Sequence, residues 1–291
     1  MQNPPLVSVI CLCYNHEEFV VESLESVLNQ TYPNVELLIA DDASSDNSAE
    51  VIFNWLQNHP EIKFIPNKVN LGNTKTFNNI LKLAKGDFII DLAADDSLEK
   101  DCIEKQINTF TSSSFKNLQI VYGNAEKIDE KGQHLGFYYD QPAPSGDIYE
   151  SIVGQYHKIC SPSSMVRKSL LEKFGGYNQN LAYEDLDLWI KTARTYEIQY
   201  IDHVLIKRRE LRSSLGNTFF LDKKRSHKIN FSTYVILQNA FRLNKSKKEY
   251  RALLKRVNGQ IALMFTLKDY LLLFKLLVLK TKIHLKLIQP I

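Results

Sequence analysis

At 291 residues with 44% hydrophobic side chains, the chain can hold one large globular domain with an appendage, or two small ones. That composition excludes a disordered or collagen-like polymer. The net charge of +3 hides a division: from Lys223 onward 16 Lys and Arg face only Glu249 and Asp269 (net +14), while the preceding residues carry 20 bases and 31 acids (net −11). An acidic body with a basic tail points to an anionic surface as a partner.

Met1 to Pro5 lack a basic segment and Leu6 to Leu12 is short for a signal core, so a secretory leader is not expected. Cys11, Cys13, Cys102 and Cys160 have no metal or redox spacing, and Cys11 and Cys13 point the same way from one strand, as small core residues do. A reducing, cytoplasmic setting is expected.

Over the first two hundred residues short β-branched runs alternate with helical stretches. Val7–Ile10 reads as a strand and Phe19–Asn29 as a helix with apolar Val20, Leu24, Val27 and Leu28 on one side. Val35–Ala40, Ile62–Ile65 and Phe88–Asp91 read as further strands, separated by helices over Ser48–Leu56 and Thr74–Ala84. The strands are nearly all apolar, as strands covered on both faces should be, so a mainly parallel sheet layered by helices is predicted. After about residue 120 the rhythm breaks into a strand at Ile120–Tyr122, a hairpin over Lys127–Gly136, a short helix at Leu170–Phe174, a break at Gly175-Gly176 and a helix over Glu184–Thr195. Everything beyond Lys223 reads as helix.

Two strands end in acids. Leu37-Leu38-Ile39-Ala40 runs into Asp41-Asp42-Ala43-Ser44-Ser45-Asp46, and Phe88-Ile89-Ile90-Asp91-Leu92-Ala93-Ala94 runs into Asp95-Asp96. Such residues reach the carboxyl edge of the sheet, where open α/β folds bind ligands. Adjacent carboxylates repel, and a hard divalent ion shared with a diphosphate would compensate them. The alternative for Asp95-Asp96-Ser97 is a cap on a helix starting near Leu98; Asp46 likewise suits a cap, and Glu184-Asp185 suits the positive end of its helix. Tyr14, after the first strand, either stacks on a nucleobase or shields the sheet edge.

Taken in order, Val7-Ser8-Val9-Ile10, Tyr14-Asn15, Asp41-Asp42-Ala43-Ser44, Asn70-Leu71-Gly72, Ala94-Asp95-Asp96 and Tyr183-Glu184-Asp185 resemble the family 2 inverting glycosyltransferases, over roughly residues 6–215. The resemblance implies a GT-A fold: a Rossmann-like, mainly parallel mixed sheet covered by helices, here as a domain at 1–222 with a basic helical extension at 223–291. It implies a nucleotide-sugar donor, usually UDP-linked, with Mg²⁺ or Mn²⁺ as cofactor. Site roles carry over residue by residue. Tyr14 would stack near the base, Asp42 would hydrogen-bond it, and Asn15, Asn70, Gly72 and Glu184 would line the donor site. Asp95 would contact ribose or sugar, Asp96 would bind the metal, and Asp185 would be the catalytic base.

The chain departs from that pattern twice. Ala93 stands where many relatives have a further Asp, and in Arg209-Glu210-Leu211-Arg212-Ser213-Ser214 Leu211 stands where they have a metal-reaching His, so metal binding that depends on bound substrate is expected. The Gln-x-x-Arg-Trp run of processive synthases is missing, which favours addition of a single sugar to a glycan or lipid-linked glycan. Ser161-Pro162-Ser163-Ser164 is assigned to the acceptor side. No Gly-rich phosphate loop follows the first strand, which argues against a nucleotidyltransferase or a dinucleotide oxidoreductase. A catalytically inactive, membrane-associated glycan-binding or scaffold protein of the same fold is the rival.

In the tail, Lys268, Lys275, Lys282 and Lys286 fall within about 40° of one another on a helix, beside Leu271–Phe274 and Leu276–Leu279. Lysines interrupt the apolar run, so a helix lying in the interface of an anionic membrane is expected rather than a span, with packing on the body or in a homodimer as the alternative. Nucleic acid is not expected as a partner, because the tail lacks interleaved aromatics. Together these place the protein at the inner face of the cell membrane.

Overall fold

The computed structural model describes residues 4–157, 159–211, 219–221 and 223–289, which divide into two units. The sheet unit comprises the described parts of residues 1–146, 160–178 and 197–211; the helical unit comprises those of 147–159, 179–196 and 212–291. The basic tail therefore groups with two earlier segments, one of which carries Asp185.

In the sheet unit the strands are β1 (Val7–Cys13), β2 (Val35–Asp41), β3 (Lys63–Pro66), β4 (Phe88–Ala93), β5 (Ser97–Leu98), β6 (Leu118–Ile128), β7 (His134–Phe137), β8 (Met165–Arg167) and β9 (Glu197–Arg209). They form one sheet in the order β3-β2-β1-β4-β8-β6-β9-β5, with β7 paired to β6. The half from β3 to β4 is parallel, β8 runs against both of its neighbours, and β6 and β9 are parallel again. The helices are α1 (Val20–Leu28), α2 (Ser48–Trp55), α3 (Asn73–Leu81), α4 (Cys102–Ser112) and α6 (Lys168–Phe174). β1 and β2 are buried almost throughout, the signature of strands covered on both faces. Cys11 and Cys13 lie in the core with Val9, Leu24, Ile39 and Leu92, and all four cysteines are free and buried.

The sequence pattern misplaces one element. No helix starts near Leu98: Ser97 and Leu98 form the short strand β5, paired with Lys207 and Ile206 of β9, and α4 starts at Cys102. Asp95-Asp96 thus ends a turn closed by the Asp96 amide donating to the Ala93 carbonyl (3.0 Å), and caps nothing. The capping idea holds better at Asp46, whose Oδ1 accepts from the Ser48 amide (3.0 Å) at the start of α2. The Lys127–Gly136 hairpin forms as expected, with Ile128 opposite His134.

The helical unit is built from α5 (Tyr149–Gly154), α7 (Asp185–Ala193), α8 (Lys223–Leu243), α9 (Lys247–Thr266) and α10 (Tyr270–Ile288). Ser246 and Glu249 form a capping box at α9, and Glu249 also accepts from Arg194 of α7 (2.9 Å). Asp269 caps α10, accepting from the Leu272 amide (3.3 Å), and contacts His227 Nδ1 (2.5 Å). Both acids of the tail are therefore spent on holding its own helices. Lys268 is not on the predicted lysine face, because it sits in the link before α10 with φ +56°. Leu272, Leu276, Leu279 and Ile283 turn inward. Leu271, Phe274, Val278, Leu285 and Ile288 recur at heptad spacing on the opposite, exposed side, Phe274 at 65% and Ile288 at 79% exposure.

Candidate active site

The parallel half of the sheet brings the predicted donor residues of β1, β2 and β4 to one edge. β1 delivers Tyr14, 46% exposed, beyond the buried Cys13. Asn15 follows at φ +60°, its Oδ1 accepting from the Ser45 amide (2.7 Å) and its own amide donating to Ser44 Oγ (2.9 Å). The turns after β1 and β2 are thereby tied together, because Asn tolerates this left-handed backbone better than most residues do.

Asp42, at the end of β2, is buried and heavily used. Its Oδ1 accepts from Asn67 Nδ2 (2.8 Å), the Leu71 amide (2.9 Å) and the Thr76 hydroxyl (2.8 Å), and its Oδ2 from the Gly72 amide (2.8 Å). Oδ2, with a single partner, keeps the lone pair that a ligand hydroxyl or base N–H can use. Gly72 has φ +85° with open space where a Cβ would stand, so the glycine is needed for its backbone angle and not for room. Asn70 is exposed beside it.

Asp95 and Asp96 differ. Asp96 is buried, its Oδ1 accepting from the Arg209 amide (2.8 Å). Burial and then the Asp95 charge push the Asp96 carboxyl well above its ordinary value, while Arg209 and Arg208 pull it down. Asp95 stays partly exposed with Oδ1 3.9 Å from His16 Nε2, and its carbonyl accepts from Arg209 Nε (3.1 Å). Arg209 is itself buried, held by Glu22 (2.7 Å) and the Asp129 carbonyl (3.0 Å) over the Phe19 ring. A buried guanidinium clamped this way fixes the acidic turn rigidly.

The donor set suits a hard divalent cation in kind, since carboxylate oxygens favour Mg²⁺ and Mn²⁺. In number it falls short: among the described residues no three His, Cys, Asp or Glu side chains are grouped to hold a metal. Leu211 is buried, and Arg212, Ser213 and Ser214 lie outside the described residues. A cation here would draw on Asp96 and on ligands brought by a substrate.

Glu184 and Asp185 belong to the helical unit and open α7, where Asp185 Oδ1 accepts from the Leu186 amide (2.6 Å). Arg256, in the middle of α9, is half-buried near Asp185 and Tyr183 and donates to the Ile152 carbonyl (2.9 Å). Burial pulls its guanidinium below the ordinary value, and Tyr183 and Asp185 pull it back up. Nothing in the helical pattern singled it out, although an Arg between Leu253 and Val257 on the inward side of α9 is an available signal.

The glycosyl transferase family 2 model matches residues 8–175, which include every predicted donor residue except Glu184 and stop short of Asp185. The chain is 31% identical over 199 residues to the poly-beta-1,6-N-acetyl-D-glucosamine synthase of Staphylococcus epidermidis, covering 67% of this chain and 47% of that protein. It is 28% identical over 209 residues to the chondroitin synthase of Escherichia coli, covering 72% of this chain and 29% of that one. It therefore spans less than half the length of either synthase. Among solved structures it resembles residues 1–349 of S. aureus TarS in complex with UDP-GlcNAc, at TM-score 0.67 and 18% identity over 88% of this chain and 73% of that one. It also resembles the mannosyltransferase PcManGT from Pyrobaculum calidifontis in complex with GDP-Man and Mn²⁺, at TM-score 0.60 and 17% identity over 98% of this chain and 84% of that one. At these identities the likeness is one of fold, and the fold is GT-A. With more than half of its residues under the family model, and the two acidic strand ends inside that span, the chain belongs to glycosyl transferase family 2.

Proposed function

We propose that the protein transfers one sugar from a nucleotide-sugar, in the first instance a UDP-sugar, to a hydroxyl of a glycan or lipid-linked glycan with inversion at the anomeric carbon. The observation that carries this reading is the edge of the parallel half-sheet, where Tyr14, the Asp42-anchored Gly72 loop and the Arg209-clamped Asp95-Asp96 turn stand together. Tyr14 offers its exposed ring to the base, and Asp42 Oδ2 accepts from base or ribose. Asn15, Asn70 and Gly72 line the donor site, Glu184 is assigned to the donor from the family resemblance alone, and Asp95 takes a ribose or sugar hydroxyl. Asp96 would hold Mg²⁺ or Mn²⁺, which when bound neutralises charge on the departing diphosphate.

Asp185 removes the acceptor proton as the acceptor oxygen forms its bond to the anomeric carbon. The bond from that carbon to the diphosphate oxygen breaks in the same displacement, and the nucleoside diphosphate leaves. Asp96→Ala is expected to abolish slow hydrolysis across a UDP- and GDP-sugar panel and to lower Mn²⁺ affinity in the presence of UDP by about tenfold or more, with circular dichroism unchanged. A folded Asp96→Ala protein that hydrolyses at the unaltered rate would overturn the assignment.

The acceptor reading includes contact with an anionic membrane through α10. Among the described residues no helix is long and apolar enough to cross a bilayer. The exposed stripe from Leu271 to Ile288 is flanked by Lys275, Lys282 and Lys286, and no acid lies on the helix. Pairing α10 with a second copy would set lysines against lysines, so an anionic lipid surface is the better complement. Phe274→Asp with Leu285→Asp is expected to release the protein from vesicles rich in phosphatidylglycerol by more than about tenfold in flotation, since each buried apolar side chain contributes ~1.5–3 kcal/mol. Equal flotation, or a dimer in solution that the same changes dissolve, would sink the membrane contact.

A further inference from the structure

Asp91 is the single polar residue of β4, set among Phe88, Ile89, Ile90, Leu92 and Ala93. Side chains two apart share a face of a strand, so Asp91 stands one pleat, roughly 6.6 Å, below Ala93 on the same side. Ala93 is exposed at the carboxyl edge, and Asp91 below it is half-buried, keeping part of its surface in solvent. On one side β1 continues alongside, with Ile10 opposite Asp91 and Leu12 opposite Ala93. On the other side β8 pairs with Phe88, Ile89 and Ile90 only, so its ladder ends at Ile90, and beyond it Asp91 and Ala93 have the Ser161–Ser163 turn alongside in place of a paired strand.

One loop is built to hold the carboxyl. Gly175 and Gly176 both take positive φ, and a Cβ on Gly176 would lie 2.3 Å from Asn78 Oδ1. Asn78 clamps the next residue from both sides: the Tyr177 amide donates to its Oδ1 (2.8 Å) and its Nδ2 donates to the Tyr177 carbonyl (2.8 Å). The Tyr177 ring stacks on Phe77 at 4.2 Å and its hydroxyl donates to Asp91. Burial nevertheless pushes the Asp91 carboxyl up to about 7, the Tyr177 bond acting in the opposite sense. An acid that costly in an apolar strand is poorly explained by packing, which any apolar side chain would serve better.

The order of strands along the edge supplies the ligand. Asp42 follows β2, Tyr14 follows β1, and Asp95-Asp96 follows β4, with the end of the β8 ladder beyond them. A nucleotide-sugar laid along this edge with its base at β2 and β1 and its diphosphate at the acidic turn carries its sugar toward the end of the β8 ladder, on the side of Asp91 and Ala93. We infer that Asp91, held by Tyr177, is a binding residue for the transferred sugar, accepting from one of its hydroxyl or amide groups. This rests on the reading of the edge as a nucleotide-sugar site.

Calorimetry on the full chain with Mn²⁺ tests it, using UDP, GDP, UDP-GlcNAc, UDP-glucose and GDP-mannose, the sugar nucleotide that binds tightest serving as probe. Asp91→Ala is expected to weaken that probe about tenfold, Asp91→Asn and Tyr177→Phe about threefold, and all three to leave the parent nucleoside diphosphate within about twofold. Asp91→Asn keeps the shape and an acceptor for Tyr177, so it decides the matter if Asp91→Ala does not fold. Equal weakening of nucleotide and sugar nucleotide, or no weakening of the probe, overturns the inference and leaves the proposed function standing. Failure of the unaltered chain to bind any of the five ligands overturns both.

Discussion

Replacing Asp185 by Asn is expected to lower sugar transfer by about two to four orders of magnitude, the range a positioned general base contributes. Donor KM should stay within about twofold, because the proton that Asp185 is proposed to take belongs to the acceptor and the proposed donor contacts are elsewhere. Part of the effect will be structural. The half-buried Arg256 faces Asp185 and Tyr183, and neutralising Asp185 leaves that guanidinium with a weaker partner. Asp185→Glu preserves the charge while displacing it, so it should recover melting temperature without recovering rate. A folded Asp185→Asn protein retaining more than about a tenth of the turnover would remove Asp185 from the chemistry.

Asp42→Ala is expected to be the most destabilising single change at the site, by about 3–5 kcal/mol. Four donors converge on this buried carboxylate, two of them the backbone amides of Leu71 and Gly72 and two the side chains of Asn67 and Thr76. Removing it takes this acceptor from all four, with Asn67 Nδ2 keeping its bond to the Thr76 hydroxyl (2.8 Å), and buried donors stripped of partners cost about 1–3 kcal/mol each before relaxation. Asp42→Asn should be milder, since its amide oxygen replaces one carboxylate oxygen while its NH₂ opposes the donor that faced the other. UDP affinity should fall in both, through the loosened Gly72 loop as well as through the lost lone pair. Chemical denaturation and calorimetry on the same samples separate the two effects; a melting temperature unchanged in Asp42→Ala would show that the hydrogen-bond cluster does not hold the loop.

The donor edge was legible to different depths. Tyr14, Asp42 and Asp95-Asp96 could be placed at strand ends, and Gly72 before a helix, from the alternation alone, because apolar runs of strand length and amphipathic helical stretches are local patterns. The helix start expected near Leu98 was misplaced, since Asp, Asp and Ser also suit a helix start, and the pairing of Ser97 with Lys207 that makes a strand there crosses more than a hundred residues. The tail was read as a lysine face beside apolar residues. The row at Leu272, Leu276, Leu279 and Ile283 turns inward, and Lys268 leaves the lysine face because the chain turns before α10.

The sequence by itself determined the family, the strand–helix rhythm, the acidic strand ends and the opposed charges of body and tail, all set by neighbours a few residues apart or by composition. Only the tertiary structure decided what those acids touch. Arg209 closes on Asp95-Asp96 from 113 residues away, Tyr177 reaches Asp91 through a loop clamped by Asn78, and Arg256 of the tail comes to Asp185. The physical reason is the same in each case. A buried charge is tolerated where a partner meets it, and that partner is chosen by the packing of distant segments, which leaves no periodic trace in the chain.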